Sequence, residues 1–123
     1  MLILISGVNS DDANHLACYS FYENNKENSI FYIPSIAYFE FQATQSRNRK
    51  KYKELYMESV RKYDITYDLI KKCDNLDLFN KFNRLRGADL VYACISKIEN
   101  MPLATNDKDF KSVESDISVI WVN

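Results

Sequence analysis

Apolar and polar positions along the chain form two alternating kinds of pattern. Short apolar or β-branched runs predict strands, whereas apolar residues three or four positions apart predict helices. The predicted strands are Ile30–Ile33, Asp64–Tyr67, Pro102–Thr105 and Ile117–Val122. The predicted helices cover about Asp11–Tyr22, Ile36–Ser46, the stretch from Arg47 to Lys62, Leu69–Cys73, Leu76–Leu85, Ala88–Ile98 and Asp107–Val113. The alternation of strands and helices predicts an α/β fold with a mostly parallel sheet.

The first apolar run, Met1–Ile5, fits either a buried strand or the start of a helix, because periodicity cannot separate the two in so short a segment. It is too short for the core of a signal peptide or for a membrane span, and Asp11 and Asp12 follow closely. We therefore expect a cytoplasmic protein that does not act at a membrane.

Length and composition narrow the class of protein. The chain has 123 residues, so we expect a single domain over 1–123. Only two Gly and two Pro are present, which argues against a turn-rich all-β fold and against disorder. The net charge is −1, so nucleic-acid binding would depend on a local basic patch.

The number and spacing of the Cys and His residues bear on disulfide bonds and on zinc binding. Three Cys do not form a disulfide framework, and one His without metal-type spacing argues against zinc. Cys94 stands among apolar residues and is predicted to be in the core, whereas Cys73, between Lys72 and Asp74, is predicted to be partly exposed.

Glu40 is the first candidate for chemistry because its surroundings, Ile36–Phe41, are otherwise apolar or aromatic. On a helix, Ile36, Glu40 and Ala43 share one side, which puts a carboxylate at or near the packed face. A buried carboxylate needs a proton, a cation or several donors. The alternative is that Glu40 lies at the edge of the apolar stripe and reaches solvent.

Two further segments carry carboxylates at positions suited to a ligand. Asp89 falls in the first turn of a predicted helix, where the dipole stabilises its charge, although alone it is better explained as a helix-start residue. Asp107 and Asp109 follow a predicted strand, and ligands bind beyond the carboxyl ends of parallel strands. Thr105 or Asn106 could hold Asp107 by hydrogen bonds; the alternative is that Asp107 only caps the next helix.

Together these segments resemble the PIN-domain family, which includes the VapC-type toxins of toxin–antitoxin pairs. The matching segments are Ile33–Glu40, Gly87–Asp89 and Thr105–Phe110, and their order and spacing fit over nearly the whole chain. The resemblance implies a three-layer α/β/α domain with a mostly parallel central sheet. It also implies a metal-dependent endoribonuclease that hydrolyses RNA, with an antitoxin protein and a second copy of the chain as expected partners.

The resemblance also implies roles for individual residues. Glu40, Asp89 and Asp107 match the family's metal-binding carboxylates, and these three are the expected catalytic residues. Asp109 would be an auxiliary acid at the metal, and Thr105, with Asn106 beside it, would support the ligands through its hydroxyl. Clustered carboxylates without His or Cys favour a hard cation, Mg²⁺ or Mn²⁺.

The N terminus departs from the family's pattern. The family begins with a strand that ends in an Asp, whereas Met1–Gly7 resembles the helix just after that motif, and Asp11 is the first Asp in the chain. We therefore expect an N-terminally truncated domain that lacks this strand and the first catalytic Asp, because of a start assigned at an internal Met or a truncated copy.

The dense basic cluster of the chain consists of Arg47, Arg49, Lys50, Lys51 and Lys53. It is a candidate for contacts with RNA phosphates, and the alternative is a solvated helix face with ordinary charge pairs. The leading hypothesis is thus a VapC-type ribonuclease, impaired or inactive in this chain. The main alternative is a noncatalytic PIN-like module that binds an antitoxin or itself; a weaker one is an unrelated α/β domain whose acids are helix caps.

Overall fold

The computed structural model describes residues 2–3, 15–48 and 60–122. The strands within these ranges are β1 (Leu2–Ile3), β2 (Phe31–Pro34), β3 (Val60–Tyr63), β4 (Leu103–Thr105) and β5 (Val119–Trp121). The helices are α1 (His15–Asn25), α2 (Ser35–Asn48), α3 (Tyr67–Asn75), α4 (Leu78–Lys81), α5 (Gly87–Glu99) and a 3₁₀ helix (Lys108–Val113). No helix in these ranges is both long and apolar enough to cross a membrane.

The strands form one parallel sheet in the order β3-β2-β1-β4-β5. Leu2 pairs with Tyr32 of β2 on one side and with Leu103 of β4 on the other, so β1 lies at the centre. The expectation that the domain lacks this strand is therefore wrong. The apolar run at the N terminus is typical of a parallel strand that is buried on both faces.

The order of the strands determines where a crevice forms at the edge of the sheet. The chain runs outward from β1 to β2 and β3, and then returns to the other side of β1 for β4 and β5. Because crossovers between parallel strands are right-handed, the helices of the two halves cover opposite faces, which gives three layers. The direction of winding reverses between β1 and β4, and the crevice at the carboxyl ends of such strands is where ligands bind.

The core lies between the sheet and the helices α3, α4 and α5. In α5 the buried residues are Tyr92, Ala93, Cys94, Ile95 and Ser96. Cys94 is in the core as predicted, but the prediction that Cys73 is partly exposed is wrong, since Cys73 is 4% exposed. Cys73 is buried because it lies one helical turn after Leu69 on the inner face of α3, while its polar neighbours lie on the outer face.

The structure corrects three predicted elements between the second strand and α5. Val60–Lys62, predicted to end a helical stretch, belong to β3. The third strand is Val60–Tyr63 rather than Asp64–Tyr67, and Val60 pairs with Phe31. The residues after this strand do not continue it, because Thr66 begins α3 by accepting a hydrogen bond from the Leu69 amide at 3.2 Å. The helix predicted over Leu76–Leu85 is shortened to α4.

The first helix packs against the second strand through aromatic rings. The ring centroids of Tyr22 and Phe31 lie 5.2 Å apart, and Phe31 is completely buried. The helix predicted from Asp11 is observed from His15 onward, and the predicted residues before His15 lie outside the described ranges.

Candidate metal centre

Two carboxylate-bearing elements meet at the carboxyl end of β4. Asp107 lies two residues beyond Thr105, the last residue of β4. Asp89 lies in the first turn of α5, the helix that leads back into β4. Because a helix that precedes a parallel strand runs antiparallel to it, the first turn of α5 returns to the edge of the sheet at which β4 ends.

Asp89, Asp107 and Asp109 form an acidic cluster at this edge. One carboxylate oxygen from each residue lies within 4.8 Å of those from the other two. Asp89 is half-buried, whereas Asp107 and Asp109 are exposed, so the cluster is open to solvent on one side. Oxygen atoms at this spacing can contact one cation together.

A buried hydroxyl places the turn that carries Asp107 and Asp109. The Asp107 amide donates to Oγ1 of Thr105 at 3.1 Å, and Thr105 is 3% exposed. The Asp109 amide in turn donates to Oδ1 of Asp107 at 2.9 Å, which begins the 3₁₀ helix. Asp107 is therefore a helix cap, as the alternative interpretation held, and it is also in the cluster. An ionised carboxylate has about four acceptor sites, so capping leaves it able to bind a cation.

The backbone before Asp89 turns sharply into α5. Arg86 is extended, and Gly87 has a φ of +55°, a conformation that side chains rarely adopt. Burial raises the pKa of Asp89 above its ordinary value. Neighbouring negative charges raise this pKa further, in the order Asp107, Asp109 and Glu40. The Asp89 carboxylate is thus held among like charges, an arrangement that a bound cation would relieve.

Glu40 lies on α2, near the cluster but outside the group whose oxygens lie within 4.8 Å. Its side chain is exposed, so the prediction of a position at the packed face is wrong and the alternative that Glu40 reaches solvent is confirmed. The charge of Glu40 still raises the pKa values of both Asp89 and Tyr92. The structure therefore brings three of the predicted carboxylates together and leaves the fourth at their margin.

Tyr92 is a residue of this site that the sequence did not reveal. It lies one helical turn after Asp89 on α5 and is 4% exposed. Burial raises the pKa of its hydroxyl, and the charges of Glu40 and Asp89 raise it further. The spacing of three residues between Asp89 and Tyr92 was the available signal, because residues three apart share a helix face.

Some of the remaining predicted residues are described by the structure, and others lie outside the described ranges. Thr105 holds Asp107 through the hydrogen bond from the Asp107 backbone amide, and Asn106 is half-buried beside it. Of the basic cluster, Arg47 falls within α2 but its side chain is not described, and Arg49, Lys50, Lys51 and Lys53 lie outside the described residues.

The donor set fits a hard divalent cation. The cluster offers carboxylate oxygens from three residues, the ligand type that Mg²⁺ and Mn²⁺ prefer over the nitrogen and sulfur ligands of zinc. The mutual repulsion of the carboxylates and the raised pKa of Asp89 both favour binding of positive charge. The residues present are therefore compatible with such an ion.

Comparisons with known proteins agree with this fold. The family model for the PIN domain matches residues 3–115, and the match begins within β1. Among solved structures, the chain is similar to one in the crystal structure of VapBC2 from Rickettsia felis bound to a DNA fragment from their promoter. The two share 20% sequence identity over 100% of both chains, with a TM-score of 0.69, which shows a common fold. Among curated proteins, none matches the chain significantly in sequence.

Proposed function

The chain belongs to the PIN-domain family, and we propose that it is a metal-dependent endoribonuclease of the VapC toxin type, which hydrolyses phosphodiester bonds of RNA. The observation that carries this proposal is the cluster of Asp89, Asp107 and Asp109, whose oxygens lie within 4.8 Å of one another. The cluster lies at the carboxyl end of β4, the edge at which parallel sheets generally bind ligands. The proposal takes residues 1–123 as one domain.

In this proposal Asp89, Asp107 and Glu40 are the catalytic carboxylates that hold Mg²⁺ or Mn²⁺, and Asp109 is an auxiliary ligand. The bound ion would supply an activated water and compensate negative charge on the phosphodiester. Thr105 keeps Asp107 in place through the hydrogen bond to its amide. Glu40 is exposed on α2, and its charge acts on Asp89, which supports its proposed place beside the ion.

The proposed partners and cellular location also rest on the family relationship. The similar structure from Rickettsia felis is a VapBC2 assembly on promoter DNA. We propose that the present chain likewise pairs with an antitoxin and forms a homodimer. The basic residues Arg47, Arg49, Lys50, Lys51 and Lys53 are the proposed contacts for RNA phosphates. The proposed location is the cytoplasm, which suits the free thiols of Cys73 and Cys94.

A second candidate function is a noncatalytic binding module with the same fold and partners. The observation that favours it is in the sequence: Asp11 is the first Asp of the chain, whereas the first strand of the family ends in an Asp. A site with one carboxylate fewer would bind a cation more weakly, so the two candidates differ in metal affinity as well as in cleavage.

The experiment that tests the proposal compares Asp89→Asn with Asp68→Asn. Both residues lie in the first turn of a helix, but only Asp89 is in the cluster. The wild type and Asp68→Asn are expected to bind Mn²⁺ in calorimetry and to cleave RNA. Asp89→Asn should lose at least about tenfold in Mn²⁺ affinity and should lose cleavage, while circular dichroism shows that it remains folded.

The outcomes separate the candidates. Binding of Mn²⁺ that depends on Asp89, without cleavage of any RNA in a broad transcript pool, would favour the noncatalytic module. A folded wild type without Mn²⁺ binding would contradict the nuclease proposal. Equal binding by both variants would mean that the cluster is not the metal site.

A further inference from the structure

An open groove of about 550 Å³ lies between α3, α4 and α5. It is lined by the lysines Lys72, Lys81 and Lys97, by Asn75, and by Leu76, Leu78 and Ile98. Lys97 follows Asp89 by eight residues on α5, which corresponds to about 12 Å along the helix axis. The groove is therefore separate from the acidic cluster, and it has the opposite charge.

The apolar residues of the groove form a floor and one edge. Leu78 is 2% exposed and belongs to the core, and Ile98 is half-buried against that core. Leu76, in contrast, is 59% exposed at the turn between α3 and α4. An exposed leucine beside an apolar floor offers a place where a side chain from another molecule can be buried.

The rim of the groove is positively charged. The described residues that line it include no carboxylate. At the margin of the groove, the carboxylate of Asp116 forms an ion pair with Lys81 at 3.4 Å. The backbone carbonyl of Asp116 accepts a hydrogen bond from the Lys97 ammonium at 3.2 Å. Within the described ranges Lys72 forms no ion pair. Among the described residues that line the groove, the charged groups are therefore three ammonium groups, and only that of Lys81 is paired with a carboxylate.

We infer that this groove binds an acidic peptide segment of a partner protein, one that inserts a large apolar side chain between Leu76 and Ile98. The lysines complement acidic side chains, and the apolar floor takes the anchor. A single-stranded nucleic acid would use aromatic stacking platforms, and the described lining residues contain none. The groove is independent of the metal centre, so the inference stands apart from the proposed nuclease activity.

The test starts from random short peptides displayed on phage. The library is selected in parallel against the wild-type chain and against the double variant Lys72→Ala/Lys97→Ala. The wild type should enrich peptides in which Asp or Glu flank a large apolar residue, and the double variant should not. The most enriched peptide is then synthesised with a fluorescent label, and its affinity is measured by anisotropy.

Matched single variants show whether this peptide occupies the groove. Lys72→Ala should weaken binding about threefold, whereas Lys71→Ala, the neighbouring exposed lysine outside the groove, should leave it unchanged. Leu76→Ala should weaken it about fivefold, whereas Ile70→Ala, an exposed apolar residue outside the groove, should not. Higher salt should lower the affinity, since exposed charges contribute to it.

Three results would overturn the inference. The first is that the wild type enriches no acidic peptides beyond those of the double variant. The second is that a labelled single-stranded RNA loses affinity with Lys72→Ala but not with Lys71→Ala, which would assign the groove to nucleic acid. The third is that Leu76→Ala, but not Ile70→Ala, converts a dimer to a monomer in sedimentation, which would assign it to a second copy of the chain.

Discussion

The hydroxyl oxygen of Thr105 accepts a hydrogen bond from the backbone amide of Asp107 at 3.1 Å. Thr105 is the last residue of β4 and is buried, so this bond ties the acidic turn to the sheet. Asp107 then accepts a bond from the Asp109 amide at 2.9 Å. The placement of two of the three clustered carboxylates therefore depends on one buried hydroxyl.

Replacement of Thr105 by Val tests this dependence. Valine keeps the β-branched shape but removes the acceptor, so the unfolding free energy should fall by about 1 kcal/mol. The affinity for Mn²⁺ should fall about tenfold, since a misplaced turn weakens two ligands. Urea denaturation and calorimetry measure the two effects.

The matched control is Thr66→Val. Thr66 also accepts a backbone hydrogen bond, from Leu69, but at the start of α3. It should lose about 1 kcal/mol of stability without any change in Mn²⁺ affinity. If Thr105→Val leaves the Mn²⁺ affinity equally unchanged, its hydroxyl does not position the metal centre.

The clustered carboxylates should make the metal-free protein less stable as the pH rises. Because the pKa of Asp89 is raised in the folded state, the folded chain holds this proton at pH values where the unfolded chain has lost it. The stability that the Asp89 proton contributes is fully present at pH values below the pKa of this group in the unfolded chain. It is lost as the pH rises through the pKa of the group in the folded chain. At neutral pH in EDTA, Asp89→Asn should therefore lower the free energy of unfolding less than Asp68→Asn does.

Addition of Mn²⁺ should reverse this order. A cation that binds only the folded state stabilises the wild type, and Asp89→Asn should gain little. Thermal unfolding from pH 3 to pH 7, with EDTA or with Mn²⁺, measures both effects. A difference between the two variants that does not change with pH would mean that the pKa of Asp89 is not raised.

The sequence predicted the parallel sheet well because its strands are short apolar runs, such as Pro102–Thr105, which need burial on both faces. It misplaced β3, since Val60–Tyr63 contains two cations and its strand character comes from pairing with β2. It also left Met1–Ile5 undecided. Only the neighbours of Leu2, on β2 and β4, make Leu2–Ile3 the central strand. Pairing between distant segments decided both cases.

The candidate site was predictable where it depends on topology. Asp89 and Asp107 come together because a parallel strand and the preceding helix bring their residues to one edge of the sheet. The exposure of Glu40 and the burial of Tyr92 depend on how α2 and α5 are rotated against their neighbours. Helical periodicity in a single sequence gives the faces of a helix, but not the rotation that packing selects.

A hydrogen bond between β3 and α5 should stabilise the fold at neutral pH. The hydroxyl of Tyr63 donates to Oε1 of Glu99 at 2.8 Å. Tyr63→Phe should lower the unfolding free energy by about 1 kcal/mol. Tyr67→Phe is the control, since Tyr67 is 86% exposed, and it should have no effect. Equal losses in urea denaturation would contradict a contribution from this bond.

The same bond has a consequence for alkaline pH. Burial and the interaction with Glu99 raise the pKa of Tyr63 to about 12. The unfolded chain therefore ionises this tyrosine near pH 10, while the folded chain keeps it neutral. The free energy of unfolding should therefore fall between about pH 10 and about pH 12, more steeply in the wild type than in Tyr63→Phe. Parallel curves for the two proteins would contradict the raised pKa.

The two core cysteines should resist alkylation in the folded chain. Cys73 and Cys94 are 4% and 2% exposed, and burial raises the pKa of both thiols, that of Cys94 to about 12. Since the thiolate is the reactive form, iodoacetamide near pH 8 should label them only when the chain opens. Leu76→Cys places a thiol at an exposed position of the same region and should be labelled at once. Peptide mapping by mass spectrometry distinguishes the sites. Labelling of Cys73 as fast as that of the introduced cysteine would mean that α3 does not stay packed on the core.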